Sequence, residues 1–96
     1  MKYFVIFKAK IKKLDPNYFT TAQHLRQKAL TQYGCVQFEA LTESLSEIAL
    51  SYWNNLSDIQ AWHLDAEHHV AQQLGHSTWY ENFSVEICEI LRHYKH

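Results

Sequence analysis

The hydrophobic and polar positions of the chain fall into six segments, and the first is a strand. Residues 1–10 read MKYFVIFKAK, with apolar side chains at odd positions such as Val5 and at even positions such as Ile6. A strand that is apolar on both faces is typical of the centre of a sheet. The pattern therefore predicts a central first strand over residues 1–10.

A helical pattern follows this strand. Asp15 is suited to cap the amides of a first turn that begins at Pro16. Gly34 is suited to the left-handed conformation that ends many helices. The segment therefore predicts a helix over about residues 16–33, with the following residues on its apolar stripe: Phe19, Ala22, Leu25 or Arg26, Ala29 and Leu30.

Two short strand patterns come next, over residues 35–41 and 47–53, and the polar stretch TESLSE separates them. This arrangement predicts a β-hairpin. A last strand pattern covers about residues 83–92, and one of its faces carries Phe83, Val85, Ile87 and Leu91.

A second helix lies between the hairpin and the last strand. Ser57 and Gln60 have the spacing of a capping box, and Leu56 and Ala61 occupy the staple positions around it. Gly75 is suited to end the helix. The predicted apolar stripe comprises Ile59, Trp62, Ala66, Val70 and Gln73 or Leu74.

The order of elements is strand, helix, strand, strand, helix, strand. It predicts an α+β, ferredoxin-like βαββαβ fold with a four-stranded antiparallel sheet. Right-handed crossovers place both helices on one face of that sheet. The other face also carries apolar residues, and soluble monomers rarely leave a contiguous apolar face exposed. We therefore expect a homodimer that packs sheet against sheet.

Length, charge and cysteine content narrow the class of protein. The chain has 96 residues and a formal charge of −1, which predicts a single domain over residues 1–96 and argues against nucleic-acid or membrane-surface binding. No apolar stretch has the length of a secretory signal or a membrane span, so we expect a cytoplasmic protein. The only cysteines, Cys35 and Cys88, are expected to be reduced thiols on opposite sheet edges.

Motifs for common cofactors are missing from the sequence. It has two glycines, both placed at predicted helix ends, and no phosphate-binding loop, nucleophile motif or carboxylate pair. This pattern argues against flavin and nicotinamide. If the protein is an enzyme, its substrate must supply the electrons, and no cofactor is expected.

Seven histidines stand out in so short a chain, and three of them fall in the second helix. His63 with Glu67 and Asp65 with His69 have the i, i+4 spacing at which two side chains can offer ligands to one metal. On a helical wheel, however, His63 and His68 do not converge with Trp62. We therefore expect a solvated helix surface and no metal site.

Two stretches carry a resemblance to a known family. SYWNNLSDIQAWHLDAEHHVAQQLG, followed by WYENFSVEICEI, resembles the antibiotic biosynthesis monooxygenase (ABM) domain, in which a strand ends in tryptophan and a helix carries a second tryptophan and a Glu-His pair. The likeness spans nearly the whole chain and is specific from about residue 49 to residue 89. It implies one ABM-like domain that dimerises into an α+β barrel.

The family includes two branches of known chemistry, and the resemblance assigns residues for each. In cofactor-independent oxidation of a phenol or quinol, it implies catalytic positions at Asp58, Trp62 and His68, with His68 as a base. In heme degradation, the family positions fall on Phe7 (or on Lys8, if the alignment shifts by one residue), Trp62 and Gln72. Neither Phe7 nor Gln72 has the side chain that the heme branch uses, so this reading is the weaker one.

The sequence thus predicts an apolar pocket between the second helix and the sheet. Trp62 is expected to be a wall of this pocket and a donor to the ligand through its indole N–H. The other candidate pocket residues are Phe7, Trp53, Trp79 and Tyr80, although Trp53 also suits the core and Trp79 and Tyr80 also suit a subunit contact. A non-catalytic homodimer that binds a small hydrophobic molecule is the alternative to an oxygenase.

Overall fold

The computed structural model describes the backbone of residues 1–12, 16–74 and 79–96, and the side chains of these ranges except for residues 71–74. Six elements follow one another in these ranges, and they confirm the predicted βαββαβ order. They are β1 (Tyr3–Ile11), α1 (Pro16–Gln32), β2 (Gln37–Glu43), β3 (Ser46–Trp53), α2 (Leu56–Leu74) and β4 (Tyr80–Glu89).

The four strands form one antiparallel sheet in the order β2-β3-β1-β4. β1 lies in the centre, as its two apolar faces predicted. In the register, Val5 lies opposite Ser51 of β3 and Ile87 of β4, and Ala9 lies opposite Glu47 and Phe83. This order is that of the ferredoxin-like fold, with β2 and β4 as the two edges.

Both helices cover the face of the sheet to which the odd-numbered residues of β1 point, because side chains alternate along a strand. Two apolar clusters fill this layer. The first contains Val5, Ala29, Cys35, Trp53 and Ile59, and the second contains Ile11, Tyr18 and Trp79. Trp53 is fully buried, and its indole Nε1 donates to Ser51 Oγ at 2.8 Å.

The inward face of α1 differs from the predicted stripe at both ends of the helix. Tyr18 is buried and packs edge-on against Trp79, with ring centroids 5.5 Å apart. Phe19 and Leu30, which the stripe had placed inside, are exposed. Tyr18 takes the inward place because it can pack edge-on against two rings, those of Trp79 and Tyr80.

The hairpin turn is shorter than predicted. Glu43 pairs with Ser46, so the loop contains only Ser44 and Leu45. Ser44 has a φ of 55°, and a positive φ at the first of two loop residues permits such a tight turn without an Asn-Gly sequence.

The start of α2 corrects the predicted capping box. The helix begins at Leu56, so Ser57 lies within its first turn. Asn55 precedes the helix, its carbonyl accepts from the Ile59 amide, and its side-chain amide donates to Asp58 Oδ2 at 3.1 Å. The stripe of Ile59, Trp62, Ala66 and Val70 does face the sheet, as predicted.

The helix ends are described in part. Gly34 has a φ of 80°, which confirms the left-handed stop after α1. The predicted cap Asp15 and stop Gly75 lie outside the described residues, as do the side chains of Gln72, Gln73 and Leu74.

β4 begins at Tyr80 and ends at Glu89, a few residues earlier at each end than predicted. Both cysteines are free: Cys35 is buried beside edge strand β2, and Cys88 lies on the opposite edge strand.

Candidate functional site

A cavity of about 440 Å³ lies between the two helices and the sheet. Every strand and both helices contribute to its lining. Its position matches the predicted pocket, with α1 as a further wall.

Small side chains create this cavity. Ala40, Ala49 and Ser51 lie on the sheet side, and Ala22 and Ala66 lie on the helix side. Protein interiors are normally packed to crystal density, so larger residues at these places would fill the space. The sequence thus keeps a void where Leu or Ile would have formed a solid core.

Aromatic rings form the walls around these small residues. They are Phe7, Tyr18, Phe38, Trp62, Tyr80 and Phe83. The rings support one another: Phe38 meets Trp62 edge-on at 5.9 Å between centroids, and Phe7 meets Tyr80 edge-on at 5.4 Å. Such a lining offers a planar aromatic molecule several stacking surfaces.

The two tryptophans that flank the start of α2 have different roles. Trp53 is fully buried, and Trp62 lies 5.6 Å from it by ring centroids, half-buried at the cavity wall. The Trp62 indole Nε1 donates to the carbonyl of Leu25 in α1 at 3.0 Å. Its N–H therefore ties the two helices together and is not directed at a ligand, contrary to the donor role that we expected.

Other polar contacts join α2 to α1 and to Tyr33, which follows α1. Asp65 accepts from Lys28 Nζ at 2.9 Å and from the Tyr33 hydroxyl at 2.7 Å. The Tyr33 hydrogen bond and Lys28 hold the pKa of Asp65 below its usual range. The rings of His24 and His69 also meet between the helices, with centroids 5.0 Å apart.

Four charged or titratable groups other than the tyrosines line the cavity. Glu47 is 8% exposed, and burial raises the pKa of its carboxyl. Arg26 has a buried Nε with no hydrogen-bond partner. His63 is partly exposed and Glu67 is exposed, and His63 Nε2 lies 2.9 Å from Glu67 Oε1. His63 and Glu67, whose i, i+4 spacing was noted in the sequence, thus contact each other within α2.

The structure brings only some of the sequence-predicted site residues together. Phe7, Trp62 and Tyr80 line the cavity. Trp53 and Trp79 are buried in the two core clusters behind it. Burial, and to a smaller extent the charge of Glu47, raise the pKa of Tyr80, so its hydroxyl stays neutral.

The two polar residues expected beside Trp62 lie elsewhere. Asp58 is in the first turn of α2, where its carboxylate contacts Asn55 and lies beside Gly34. His68 is exposed and is not among the cavity-lining residues. A base for chemistry in the cavity must therefore be sought among other groups.

Glu47 and Arg26 were missed by the sequence reasoning, although the sequence held a signal for both. Residues two apart in a strand share a face, so a buried Trp53 places Glu47 on the core-facing side. Arg26 stood as an alternative to Leu25 in the predicted stripe, and the structure places both at the cavity.

Within the described part of the chain, no group of three or more His, Cys, Asp or Glu side chains could hold a metal ion. None of the helices described is both long and apolar enough to cross a bilayer.

The sequence matches no known family profile. It is 32% identical over 91 residues to the uncharacterized protein YqjZ of Bacillus subtilis, and the match covers 94% of this chain and 80% of YqjZ. The chain belongs to the YqjZ family. This level of identity over most of both chains implies the same fold for YqjZ.

Solved structures show that the fold is that of the ABM-domain proteins. SnoaB, a cofactor-independent oxygenase from Streptomyces nogalater whose structure is that of a mutant, superposes with a TM-score of 0.72 at 9% identity, over 96% of this chain and 95% of SnoaB. A candidate antibiotic biosynthesis monooxygenase from Nitrosomonas europaea gives 0.67 at 17% identity, over 94% and 99%. A mutant of MhuD, with two manganese protoporphyrin IX molecules per active site, gives 0.67 at 10% identity, over 98% and 99%.

Proposed function

We propose that this YqjZ-family protein binds a small phenol or quinol in the cavity and oxidises it with O₂ as a cofactor-independent monooxygenase. The observation that supports this most is an aromatic-walled cavity of about 440 Å³ in an ABM-type fold. Among proteins of this fold, SnoaB is a cofactor-independent oxygenase.

The proposed reaction draws all its electrons from the substrate. A phenol with a free C–H opposite or beside its hydroxyl reacts with one O₂ to give a quinone and one water. One oxygen atom enters the ring as the new carbonyl, and the other leaves in the water with the two hydrogens that the substrate loses. Removal of the phenolic proton starts the reaction because a phenolate gives up an electron far more readily than a phenol.

The protein's contribution is to hold the ring, exclude water and accept the first proton. Trp62, Phe38 and Phe7 supply the stacking surfaces. The fixed contact of Trp62 with Leu25 keeps its ring in place while the ligand enters. Tyr18 and Tyr80 bring hydroxyl-bearing rings to the cavity.

We propose in addition that the protein acts as a homodimer. The sheet face away from the helices carries Phe4, Ile6, Leu50, Tyr52 and Cys88, as the register places them. Beyond β4, Leu91 and Tyr94 are also exposed. A second copy of the same face is a self-complementary cover for these residues.

The alternative is a non-catalytic binder of a small hydrophobic molecule. The positions of Asp58 and His68 away from the cavity favour it, since the resemblance had assigned the chemistry to them. The cavity would then serve for capture alone.

Oxygen uptake with a panel of hydroquinones and naphthols separates the two candidates. For an oxygenase, we expect uptake with some panel members, and Trp62→Phe should weaken it by roughly tenfold because the ring becomes smaller and loses its anchor on α1. The matched control is Trp79→Phe, in the core behind the cavity. If no panel member is oxidised by any of these proteins while a ligand still raises the melting temperature, the binder is the correct function.

A further inference from the structure

Glu47 is an unusual residue for the inner face of a sheet. It is 8% exposed, lines the cavity and lies opposite the small side chain of Ala9. Within the described residues, no hydrogen-bond donor or cation contacts its carboxylate. Burial without a partner raises the pKa of this carboxyl above its ordinary value.

Such a group costs stability, since a buried carboxylate without a partner is unfavourable relative to an apolar or amide side chain of similar size. Buried polar side chains in proteins are normally satisfied by a hydrogen bond. A carboxylate that faces an open cavity without one is therefore poised to accept a hydrogen bond from whatever fills the cavity.

Arg26 presents the opposite charge to the same cavity. Its guanidinium carbon lies 5.9 Å from the centroid of the Phe38 ring, and its Nε is buried without a partner. No ion pair to Arg26 occurs among the residues that the structure describes. A guanidinium in this state is poised to pair with a ligand carboxylate, which accepts two parallel hydrogen bonds from its planar fork.

The two groups lie at different ends of the cavity. Arg26 is at the end formed by Phe38, which pairs with Ser51 in the sheet. Glu47 is four residues further along β3, at roughly 3.3 Å per residue, so the two ends are about 13 Å apart along the strand. Tyr80, whose pKa the Glu47 charge helps to raise, marks the Glu47 end.

We propose that the cavity selects an aromatic hydroxy acid, whose carboxylate pairs with Arg26 and whose hydroxyl donates to Glu47, with Glu47 as the base of the reaction. The base role rests on the proposed oxygenase function, whereas the two-ended recognition does not. The aromatic walls between the two ends hold the ring system.

The proton transfer conserves atoms and charge. The O–H bond of the ligand breaks, its electron pair stays on the ligand oxygen, and the proton forms a new O–H bond on a carboxylate oxygen of Glu47. Glu47 becomes neutral as the ligand becomes a phenolate, so the total charge of the cavity is unchanged. Arg26 remains paired with the ligand carboxylate throughout.

The test measures the affinities of four probes by calorimetry for wild type, Arg26→Met and Glu47→Gln. The probes are naphthalenes: one has a hydroxyl and a carboxylate at opposite ends (hydroxynaphthoate), one has only the carboxylate, one has only the hydroxyl, and one has neither. The matched controls are Arg92→Met and Glu39→Gln, which make the same two substitutions at exposed positions. A circular dichroism spectrum and a melting temperature establish that each variant is folded.

We expect wild type to bind hydroxynaphthoate most tightly. Arg26→Met should weaken both carboxylate probes by about tenfold or more and leave naphthol unchanged. Glu47→Gln should weaken both hydroxyl probes by about tenfold and leave naphthoate unchanged, because a charged acceptor binds a hydroxyl more strongly than an amide does. The control variants should match wild type.

The proposal is overturned if wild type binds none of the probes, or binds naphthol as tightly as hydroxynaphthoate. It is also overturned if both variants keep wild-type affinity for all four. If Arg26→Met lowers the affinities for naphthol and naphthoate equally, Arg26 shapes the cavity and does not bind the carboxylate, which overturns its proposed role.

Oxygen uptake with hydroxynaphthoate separates this inference from the oxygenase function. We expect Glu47→Gln to lower kcat by at least about a hundredfold and to remove the rise of kcat with pH that accompanies ionisation of Glu47. Uptake by Glu47→Gln at the wild-type kcat would contradict the base role and leave the oxygenase standing. An intact pattern of affinities without any oxygen uptake would contradict the base role and the oxygenase, and would support the recognition of a hydroxy acid.

Discussion

The two faces of the sheet have similar apolar residues but different surroundings. On the helix side, Val5 and Trp53 are buried by α1 and α2. On the other side, the neighbouring residues Phe4 and Tyr52 stack on each other at 6.0 Å between centroids and stay partly exposed. The helices cover the first face over β1 and β3, and the second face has no helix above it within the described chain.

This difference in cover suits the two faces to different kinds of binding. On the covered face, the two helices bury residues of β1 and β3, small residues leave a cavity there, and Phe83 and Ile87 of β4 stay exposed. On the open face, a row of large side chains has no helix above it within the described residues, which is the condition for association with another surface. Ligand binding is thus expected on one face and subunit contact on the other.

A charge in the centre of the open face should lower the stability of the fold more than the other substitutions below. Ile6 lies there, opposite Leu50 of β3 and Glu86 of β4. In a sheet-to-sheet dimer, Ile6→Glu would bury an unpaired carboxylate, at a cost comparable with the roughly 5–15 kcal/mol stability of a domain. We therefore expect unfolded protein by circular dichroism, whereas Gln37→Glu, at the exposed edge of the same face, should stay folded. A well-folded monomer of Ile6→Glu in the ultracentrifuge would show that the open face needs no cover.

Truncations on either side of the sheet compare the two faces directly. Trp53→Ala should lower the free energy of unfolding by about 3–5 kcal/mol, because it leaves a cavity in place of the fully buried indole ring. Its effect should not vary with protein concentration. Tyr52→Ala, one residue earlier, should cost less, and its effect should grow at concentrations where wild type is dimeric. Urea unfolding at several concentrations measures both, and concentration-dependent behaviour of Trp53→Ala alone would reverse the assignment of the faces.

Glu47→Gln should raise the stability of the fold, by less than the truncation Trp53→Ala lowers it. Burial raises the pKa of Glu47 above its ordinary 4.5, so the folded state binds more protons than the unfolded state just above that pH. Stability therefore falls as pH rises through this window. The variant lacks the buried charge, so its melting temperature should exceed that of wild type by a few degrees above the window and equal it below pH 4.5.

Other titratable groups at the cavity could mimic this pH dependence. Arg26 and Tyr18 of α1, His63 and Glu67 of α2, and Tyr80 of β4 line the same space. Glu67→Gln is the appropriate control, since Glu67 is exposed and already pairs with His63. A lower melting temperature for Glu47→Gln at neutral pH would mean that the carboxylate stabilises the fold.

The smallest change in stability is expected when the contact of Asp65 with Lys28 and Tyr33 is removed. The Tyr33 hydrogen bond and Lys28 hold the pKa of Asp65 below its ordinary value of 3.8, so this contact contributes stability above pH 3.8 that is lost as pH falls through the lowered pKa. Asp65→Asn should lower the melting temperature slightly at neutral pH, and the difference from wild type should vanish in acid. The size of this difference in a pH series of thermal melts, compared with that of Glu67→Gln, tests whether Asp65 has any role beyond a surface contact.

Much of the fold could be predicted because its signals are local. The two-faced apolar pattern of β1 placed it in the centre of the sheet, and Gly34 supplied the positive φ that ends α1. The order of elements then fixed the topology through the handedness of crossovers. The start of α2 and the hairpin loop were less accurate. Asn55 and Ser57 are equally suited to precede a helix, and Ser44 has a positive φ that is more common for Asn or Gly.

The candidate site depended more on the tertiary structure. The sequence singled out Trp62, Phe7 and Tyr80, and all three line the cavity. It could not show that the Trp62 N–H is bound to Leu25, since that contact joins residues 37 positions apart. It also gave no reason to relate Glu47 to Arg26, which come from different elements and line the same cavity only in the folded chain.

By itself, the sequence determined the elements, their order and the presence of two apolar sheet faces, because strand alternation and helical spacing are properties of neighbouring residues. Only the tertiary structure decided which side chains face the cavity and which polar groups are left there without partners. Burial and hydrogen bonding depend on where distant segments pack, and for this protein that packing turns an ordinary strand glutamate into the central candidate for its chemistry.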